Sequence, residues 1–257
     1  AGDTLTYTVD DARFEIVGDV LKLKDGVSLD YETEASVDLV ITATDADGLT
    51  ATRSVTITVT DVNETPTQPV LSGSTVAENA AGAVIGTVTG ADPDDGDTLT
   101  FTVDDDRFEI VDGSLKLKDG ISLDYEMEAS VDLVITATDG DGLTATRSVT
   151  ITVTDVNEAP AQPVLSGSTV AENAAGAVIG TVTGSDPDDG DSVTFTVDDD
   201  RFEIVDGSLK LKDGVSLDYE TEASVDLVIT ATDVDGLRAT RSVTITVTDV
   251  NEAPAQP

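Results

Sequence analysis

A short acidic block that ends in proline recurs along the chain. Asp155-Val156-Asn157-Glu158-Ala159-Pro160 returns at 249–254 and, with Thr65 in place of alanine, at 61–66, so the copies stand 94 residues apart. Carboxylate, amide and carbonyl oxygens are hard ligands, and a set without nitrogen or sulfur favours calcium over zinc or copper. The chain has no histidine and no cysteine. The block therefore indicates an all-oxygen calcium site, and its spacing indicates tandem modules.

Each acidic pair taken alone has a simpler explanation, because aspartate and glycine are favoured in turns. We interpret Asp112-Gly113 and Asp141-Gly142 as turns, and Asp104-Asp105-Asp106 as a solvated loop. Paired carboxylates such as Asp124 and Glu126 can also catalyse glycoside hydrolysis. However, aromatic residues make up only 4% of the chain, too few for an aromatic-walled cleft, and the pair recurs in every module. The sequence therefore predicts that the protein is not an enzyme.

The composition excludes two classes of partner. Lys and Arg total 13 against 52 Asp and Glu, a formal net charge of −39. Such a charge repels nucleic acid and anionic membrane surfaces, so neither partner is expected. No apolar run approaches the roughly 20 residues of a membrane span, which argues against direct membrane insertion. A solubilising surface accounts for part of the acidic excess, and the rest indicates carboxylates that bind cations.

Alternation of apolar and polar residues predicts the elements that position the acidic block. In the second copy, 99–103 alternates with period two, and 108–111 pairs with 115–118 as a hairpin. Residues 70–76 are interpreted as one first strand, followed by a strand at 84–88. The later strands at 131–137 and 149–153 bring the number to seven, without a helix. This pattern predicts an all-β sandwich with Greek-key connections.

The repeat also defines the domain organisation. Residues 67–160 and 161–254 align without a gap and differ at 8 of 94 positions. The predicted domains are a truncated repeat at 1–66, a complete repeat at 67–160, and a complete repeat plus C-terminal linker at 161–257. We expect the chain to be a fragment of a longer protein. The end of one module and the top loops of the next are predicted to meet at a joint.

Five motifs together resemble a known family. Ala-Glu-Asn, Asp-Pro-Asp, Leu-Asp-Tyr-Glu, Ala-Thr-Asp and Asp-Val-Asn-Glu-Ala-Pro follow one another in the order of the cadherin repeat, over essentially the whole chain. The chain is most similar to cadherin-like tandem repeats of large bacterial surface adhesins. The resemblance implies tandem seven-stranded cadherin-like or immunoglobulin-like β-sandwiches in a linear rod, with calcium ions, typically three, at each complete joint.

The resemblance also implies the calcium ligands. At the complete joint they are Glu78, Asp124, Glu126, Asp155, the Val156 carbonyl, Asn157, Glu158, Asp186, Asp188 and Asp233. At the first joint they are Asp30, Glu32, Asp61, Val62, Asn63, Glu64, Asp92, Asp94 and Asp139. At the third joint they are Glu172, Asp218, Glu220, Asp249, Asn251 and Glu252, with no following module.

Two linker residues depart from the family pattern. Glu158 replaces the usual aspartate, which keeps the charge but lengthens the side chain. Ala159 replaces the asparagine that usually follows, so one linker-derived oxygen is lost. Water or a backbone carbonyl is expected to replace that oxygen. At the first joint, the Ala-Glu-Asn glutamate is missing because the first module is truncated.

Charge repulsion makes a cation necessary at such a joint. The complete joint collects eight carboxylates, and two charges about 5 Å apart repel by roughly 3 kcal/mol at an effective dielectric near 20. Three divalent ions would reduce the net charge to about −2. Magnesium fits less well because it prefers strict octahedra and keeps its waters. Extracellular modules of this chemistry bind calcium at about 10⁻⁴ to 10⁻³ M.

The sequence therefore predicts a calcium-binding, extracellular rod or spacer segment of a large cell-surface adhesin, with calcium and neighbouring repeats as partners. The alternative is a recognition module that binds a cell-surface glycan or a second copy of itself. The low aromatic content argues against a sugar-binding platform. The near-identity of the copies favours a spacer, because a dedicated binding module would be expected to diverge from its neighbours.

Overall fold

The computed structural model describes residues 4–253, and all its regular elements are strands. Residues 1–3 and 254–257 lie outside this range, so Pro254 of the third acidic block and both outer domain limits are not described. The limits of the three repeats remain predictions. None of the described residues belongs to a helix long and apolar enough to cross a membrane.

The strands follow the repeat. The first repeat contains β1 (Thr6–Val9), β2 (Phe14–Val17), β3 (Val20–Leu23), β4 (Ser36–Thr44) and β5 (Thr50–Thr58). The second contains β6 (Val70–Leu71), β7 (Thr75–Ala77), β8 (Val84–Thr89), β9 (Thr100–Val103), β10 (Phe108–Val111), β11 (Ser114–Leu117), β12 (Ser130–Thr138) and β13 (Thr144–Thr154). The third contains β14 (Val164–Leu165), β15 (Thr169–Ala171), β16 (Val178–Thr183), β17 (Thr194–Val197), β18 (Phe202–Val205), β19 (Ser208–Leu211), β20 (Ser224–Thr232) and β21 (Arg238–Thr248).

Each complete repeat has two four-stranded sheets. In the third repeat the orders are β14-β16-β19-β18 and β15-β21-β20-β17, and the second repeat has the same pattern, β6-β8-β11-β10 and β7-β13-β12-β9. The strands β20 and β21 form a long antiparallel hairpin, whereas β15 pairs in parallel with β21. These orders confirm the predicted all-β fold.

The core of the third repeat lies between its sheets. Alternate residues of β20, including Val225, Leu227 and Ile229, are buried with Ile245 of β21 and Phe202 of β18. Burying such a side chain contributes roughly 1.5–3 kcal/mol. In the first repeat, the buried cluster is Phe14, Val37 and Leu39, with partly buried neighbours in β1, β3 and β5 and in the segments that follow β3 and β5.

The predicted first strand is wrong in one respect, because it is two strands in different sheets. In the third repeat, β14 pairs with β16, whereas β15 pairs with β21. The crossing occurs at Gly167, where a Cβ atom would lie 2.6 Å from the Ile179 carbonyl oxygen. Glycine therefore permits the change of sheet, and each complete repeat has eight strands rather than seven.

Two of the turn predictions concern the second repeat. The hairpin of β10 and β11 is confirmed, with positive φ at Asp112 (48°) and Gly113 (73°), as a type I′ turn requires. Residues 104–106 form a loop in which Asp104 and Asp106 are exposed, as predicted, but two of its three side chains also have specific partners. Asp104 Oδ1 accepts the Val134 N–H at 2.7 Å, and Asp105 forms an ion pair with Arg107 at 2.8 Å.

The described residues form two compact units. One comprises 4–76, 81–122 and 131–152, and the other comprises 77–80, 123–130 and 153–253. The second unit therefore contains the third repeat together with the short segments of the second repeat that carry Glu78, Asp124, Glu126 and Asp155. These acidic motifs and the third repeat belong to one packed body.

Candidate metal centre

Three segments of the second repeat converge where its last strand ends. The strand β13 ends at Thr154 and the chain continues into Asp155. The Glu78 N–H, just after β7, donates to the Thr154 carbonyl at 3.1 Å, and the Asn79 N–H donates to the Leu123 carbonyl at 3.0 Å. These backbone bonds place the Ala-Glu-Asn and Leu-Asp-Tyr-Glu motifs beside the linker.

Glu78 ties these segments together through its side chain. It is 2% exposed, and its Oε1 accepts the Val156 N–H at 2.7 Å while its Oε2 accepts the Tyr125 N–H at 2.7 Å. Each carboxylate oxygen keeps a further lone pair for a cation. Glu78 therefore organises the joint as well as facing the other acids.

Four carboxylates meet at this joint. Oxygens of Glu78, Glu126, Asp155 and Asp188 all lie within 4.8 Å of one another. Asp188 comes from the β16–β17 loop of the following repeat, and its Oδ2 accepts the Glu158 N–H at 2.8 Å. Of the ion pairs within residues 4–253, none includes any of these four acids. The cluster thus has negative charge without a basic side chain to balance it.

The proximity of these acids raises the pKa of two of them. Partial desolvation and the negative charges of Asp188 and Glu78 raise the pKa of Asp155. Partial desolvation and the charges of Glu78, Asp155 and Asp188 likewise raise the pKa of Glu126. A proton on one acid relieves part of the repulsion, and a divalent cation would relieve it without protonation.

A second group lies around Asp233, at the top of the third repeat. The Asn157 Nδ2 donates to Asp233 Oδ2 at 3.0 Å, while Asp233 Oδ1 accepts the N–H groups of Gly236 and Leu237 at 2.6 and 2.8 Å. Burial opposes ionisation of Asp233, but these hydrogen bonds prevail and lower its pKa. Asp233 therefore remains a carboxylate, 6% exposed.

The buried oxygens test whether a cation fits. Among the described residues, buried carboxylate oxygens without a hydrogen-bond partner are Asp92 Oδ2, Asp94 Oδ1, Glu158 Oε2, Asp186 Oδ2, Asp188 Oδ1 and Asp191 Oδ2. Native proteins rarely leave buried acceptors unpaired, because desolvation then has no compensation. Carboxylate oxygens that face one another cannot supply donors. The residues present fit a hard divalent cation.

The first joint has the same arrangement with fewer acids. Oxygens of Glu32, Asp61 and Asp94 lie within 4.8 Å of one another. The Glu64 N–H donates to Asp94 Oδ2 at 2.8 Å, and Asn63 Nδ2 donates to Asp139 Oδ2 at 3.0 Å. These bonds repeat those of Glu158 and Asn157 at the second joint.

Three acids of the third repeat form a corresponding cluster at the third acidic block. Oxygens of Glu172, Glu220 and Asp249 lie within 4.8 Å of one another. Glu172 accepts the Val250 and Tyr219 N–H groups at 2.6 and 2.9 Å, as Glu78 does in its repeat. The Asn251 Nδ2 donates to the Glu252 carbonyl at 3.4 Å.

Some predicted ligands are not brought into these clusters. Asp30, Asp124 and Asp218 accept backbone N–H groups from residues 33, 127 and 221 at 2.8, 2.9 and 3.2 Å, as turn-closing residues do. The Glu158 carboxylate is occupied on one oxygen by the Asn79 side chain, and Glu252 accepts from Asn173 at 2.7 Å. The assignment of these residues as ligands remains a prediction.

Two acidic residues that the motifs did not include join the clusters. Asp97 lies with Asp92 and Asp94, and Asp191 with Asp186 and Asp188, each set within 4.8 Å. The signal was present as Asp-Pro-Asp-Asp-Gly-Asp in both repeats. It was missed because the sequence alone does not show which acids of the loop point inwards.

Comparison with known proteins agrees with this architecture. Residues 63–152 match the family described as Bacterial Ig domain. The chain is 31% identical to mouse Cadherin-related family member 2 over 91% of this chain and 20% of that protein. It is 32% identical to human Protocadherin alpha-2, over 91% of this chain and 28% of that protein. The chain therefore spans less than a third of these relatives.

A solved structure supports the same fold. EC1-4 of PcdhgB3 superposes with a TM-score of 0.66 at 25% identity, covering 96% of this chain and 67% of that one. The two curated relatives named above are animal proteins, so they do not support the expected bacterial origin. Eight-stranded sandwiches, a regular repeat and matches over nearly the whole chain show a fold of tandem β-sandwiches similar to those of cadherins and protocadherins.

Proposed function

We propose that this chain is a calcium-binding, extracellular spacer segment of a large cell-surface adhesion protein, stiffened by Ca²⁺ at the joints between repeats. The observation that carries the proposal is the second joint. There Glu78, Glu126 and Asp155 of one repeat meet Asp188 of the next within 4.8 Å, without a basic partner among the described residues. Relatives that are cadherins and protocadherins support an adhesion role outside the cell.

The residues of the joint have different proposed roles. Bound calcium would supply positive charge that cancels the repulsion among the acids. Glu78 holds three segments of its own repeat together through the Val156 and Tyr125 N–H groups. Asp188 is fixed by the Glu158 N–H and Asp233 by Asn157, so the linker also connects to the following repeat. With the repulsion neutralised, these hydrogen bonds hold the two repeats at one angle.

The proposed role needs no catalysis. An open depression in the second repeat, of about 290 Å³, is lined by residues 71–74 and 147–150 and includes none of the clustered acids. A role in recognition, by self-association or glycan binding, is the alternative. A concentration series tests self-association, and a glycan array tests sugar binding.

Small-angle X-ray scattering of this chain in calcium and in chelator tests the spacer role. We expect a larger maximum dimension and a stiffer particle in calcium than in chelator, with magnesium at equal concentration giving a smaller effect. A profile that is the same in calcium and chelator would contradict the proposal. Growth of the particle mass with protein concentration would instead favour self-association.

A further inference from the structure

Asp191 occupies the acidic loop between β16 and β17, outside the motifs that identified the calcium site. Its N–H donates to the Asp188 carbonyl at 3.2 Å, which closes a four-residue turn. Gly190, at the third position of this turn, has φ of 98°, in the left-handed region that glycine adopts readily. The turn brings the Asp191 carboxylate within 4.8 Å of Asp186 and Asp188.

The oxygens in this loop point to a positively charged ligand. Asp188 is 8% exposed, and while its Oδ2 receives the Glu158 N–H, its Oδ1 is buried without a partner. Asp186 Oδ2 and Asp191 Oδ2 are buried without partners as well. Three acceptors that face one another cannot satisfy each other, so the buried Asp188 oxygen requires a cation or a donor from outside the chain.

The neighbouring acid provides a contrast. Asp189 stands in the same turn and has the same charge, but it is exposed and belongs to none of the clusters among residues 4–253. The loop therefore directs one of the two acids inwards and the other outwards. A merely solubilising loop would not require this difference.

We infer that Asp191 is a further carboxylate ligand of the cation bound by Asp186 and Asp188, and that Asp97 has the same role beside Asp92 and Asp94. The inference rests on the calcium-binding function proposed above. Asp97 repeats the turn, since its N–H donates to the Asp94 carbonyl at 3.2 Å across Gly96, whose φ is 99°, although the Asp97 side chain is more exposed than that of Asp191.

The additional ligand has a physical reason at the second joint. The linker residue after Glu158 is Ala159, whose side chain has no oxygen. Ligand number and charge tune calcium affinity, so a carboxylate from the loop can replace a neutral oxygen that the linker lacks. Asp191 is a residue of the third repeat, so the position of its carboxylate beside Asp186 and Asp188 does not depend on the linker.

The test compares two isosteric variants of the full chain, D191N and its matched control D189N, by calorimetric titration with Ca²⁺. We expect D191N to weaken one class of calcium sites by about tenfold or more, and D189N to change every site less than twofold. The pair D97N and D95N repeats the comparison in the second repeat. Equal calcium affinities in D191N and D189N would overturn the inference.

Thermal unfolding separates a ligand from a structural residue. In chelator, D191N should unfold at the same temperature as D189N or higher, because it removes one charge that repels the neighbouring acids. Added calcium should raise the unfolding temperature of D191N less than that of D189N. If the unfolding temperature of D191N were lower than that of D189N by as much in chelator as in calcium, Asp191 would have a structural role and the inference would be refuted. If the unmodified chain binds no Ca²⁺, the proposed function itself fails. If that chain binds Ca²⁺ and D191N matches D189N, only the inference about Asp191 fails.

Discussion

At the scale of single residues, the acids of the second joint differ in what else they do. Both oxygens of Glu78 accept backbone N–H groups, whereas Asp188 keeps a buried Oδ1 without a partner. Glu126 is exposed, and it neither joins backbone segments as Glu78 does nor holds a buried unpaired oxygen as Asp188 does. Removing Glu78 would therefore disturb the protein with or without calcium, while Glu126 reports on the cation alone.

We predict that Glu126→Gln weakens calcium binding at the second joint by roughly tenfold or more without loss of folding, because ligand charge sets the affinity of such sites. Titration with Ca²⁺ measures the affinity, and circular dichroism in chelator measures folding. Glu128→Gln is not a suitable control, because Glu128 has partners of its own. The exposed Asp95 is suitable, and equal calcium affinities for Glu126→Gln and Asp95→Asn would rule out Glu126 as a ligand.

The raised pKa of Glu64 at the first joint predicts that stability and calcium affinity depend on pH. Partial desolvation, a hydrogen bond shared with Asp94 and the charges of Glu32 and Asp61 raise the pKa of Glu64 from 4.5 to about 7. Between these values the folded form binds more protons than the unfolded form, so stability in chelator should fall as pH rises through this window. The proposed role of Glu64 as a calcium ligand requires its ionised form, so calcium affinity should rise over the same range.

Calorimetry in two buffers with different ionisation enthalpies measures the proton release. At pH 7 we expect Glu64 to release a fraction of a proton on calcium binding, and Glu64→Gln to remove that release. A calcium affinity that does not change from pH 5.5 to 7.5 would refute this account.

At the scale of the strands, glycine decides where the chain changes sheet. A Cβ atom at Gly73 would lie 2.5 Å from the Ile85 carbonyl oxygen, which belongs to backbone and cannot rotate away. The strands β6 and β7 therefore separate at this point. The parallel strand β7 then ends at Ala77, directly before Glu78, so the crossing positions a site residue.

We expect Gly73→Ala to destabilise the second repeat by about 1–3 kcal/mol, because the backbone must move to admit the methyl group. Gly140→Ala is the matched control, since its Cβ would approach only the Asp97 side chain, at 3.8 Å, and the third repeat has Val234 there. Thermal unfolding in chelator measures both. Equal unfolding temperatures would show that the close approach is not needed.

At the scale of the whole chain, three nearly identical acidic blocks lie in different surroundings. The first contributes to a cluster of three acids, the second to one of four, and the third to one of three. Among residues 4–253, it is the second block that has both a Glu78-type glutamate and an aspartate from a following repeat. Calcium should accordingly bind most tightly at the second joint.

Limited proteolysis with a glutamate-specific protease can test protection of the linkers. We predict that calcium slows cleavage after Glu64 and Glu158 by about tenfold or more, because local opening must precede cleavage. Samples in chelator and in magnesium provide the comparison. Cleavage at equal rates in calcium and chelator would mean that the linkers are not stabilised by the ion.

Several features follow from the sequence by itself. The alternating residues of β20 and the Asp112-Gly113 turn predict strands and a hairpin from local rules, and the structure confirms them. Repetition at a spacing of 94 residues, with one acid-rich block per copy, predicts tandem modules and the class of ion. Strands and turns follow from the backbone preferences of neighbouring residues, and the class of ion follows from the chemistry of the donor oxygens.

Other features depend on segments that are distant in the chain. Asp189 and Asp191 are both acids of one loop, and only the turn at Gly190 directs Asp191 towards Asp186. Asp124 stands in a motif of the family, yet its carboxylate accepts an N–H within its own turn. The change of sheet at Gly73 depends on the approach of β8. Composition shows that the acids are available, but three-dimensional packing decides which of their oxygens are buried, face one another and require a cation.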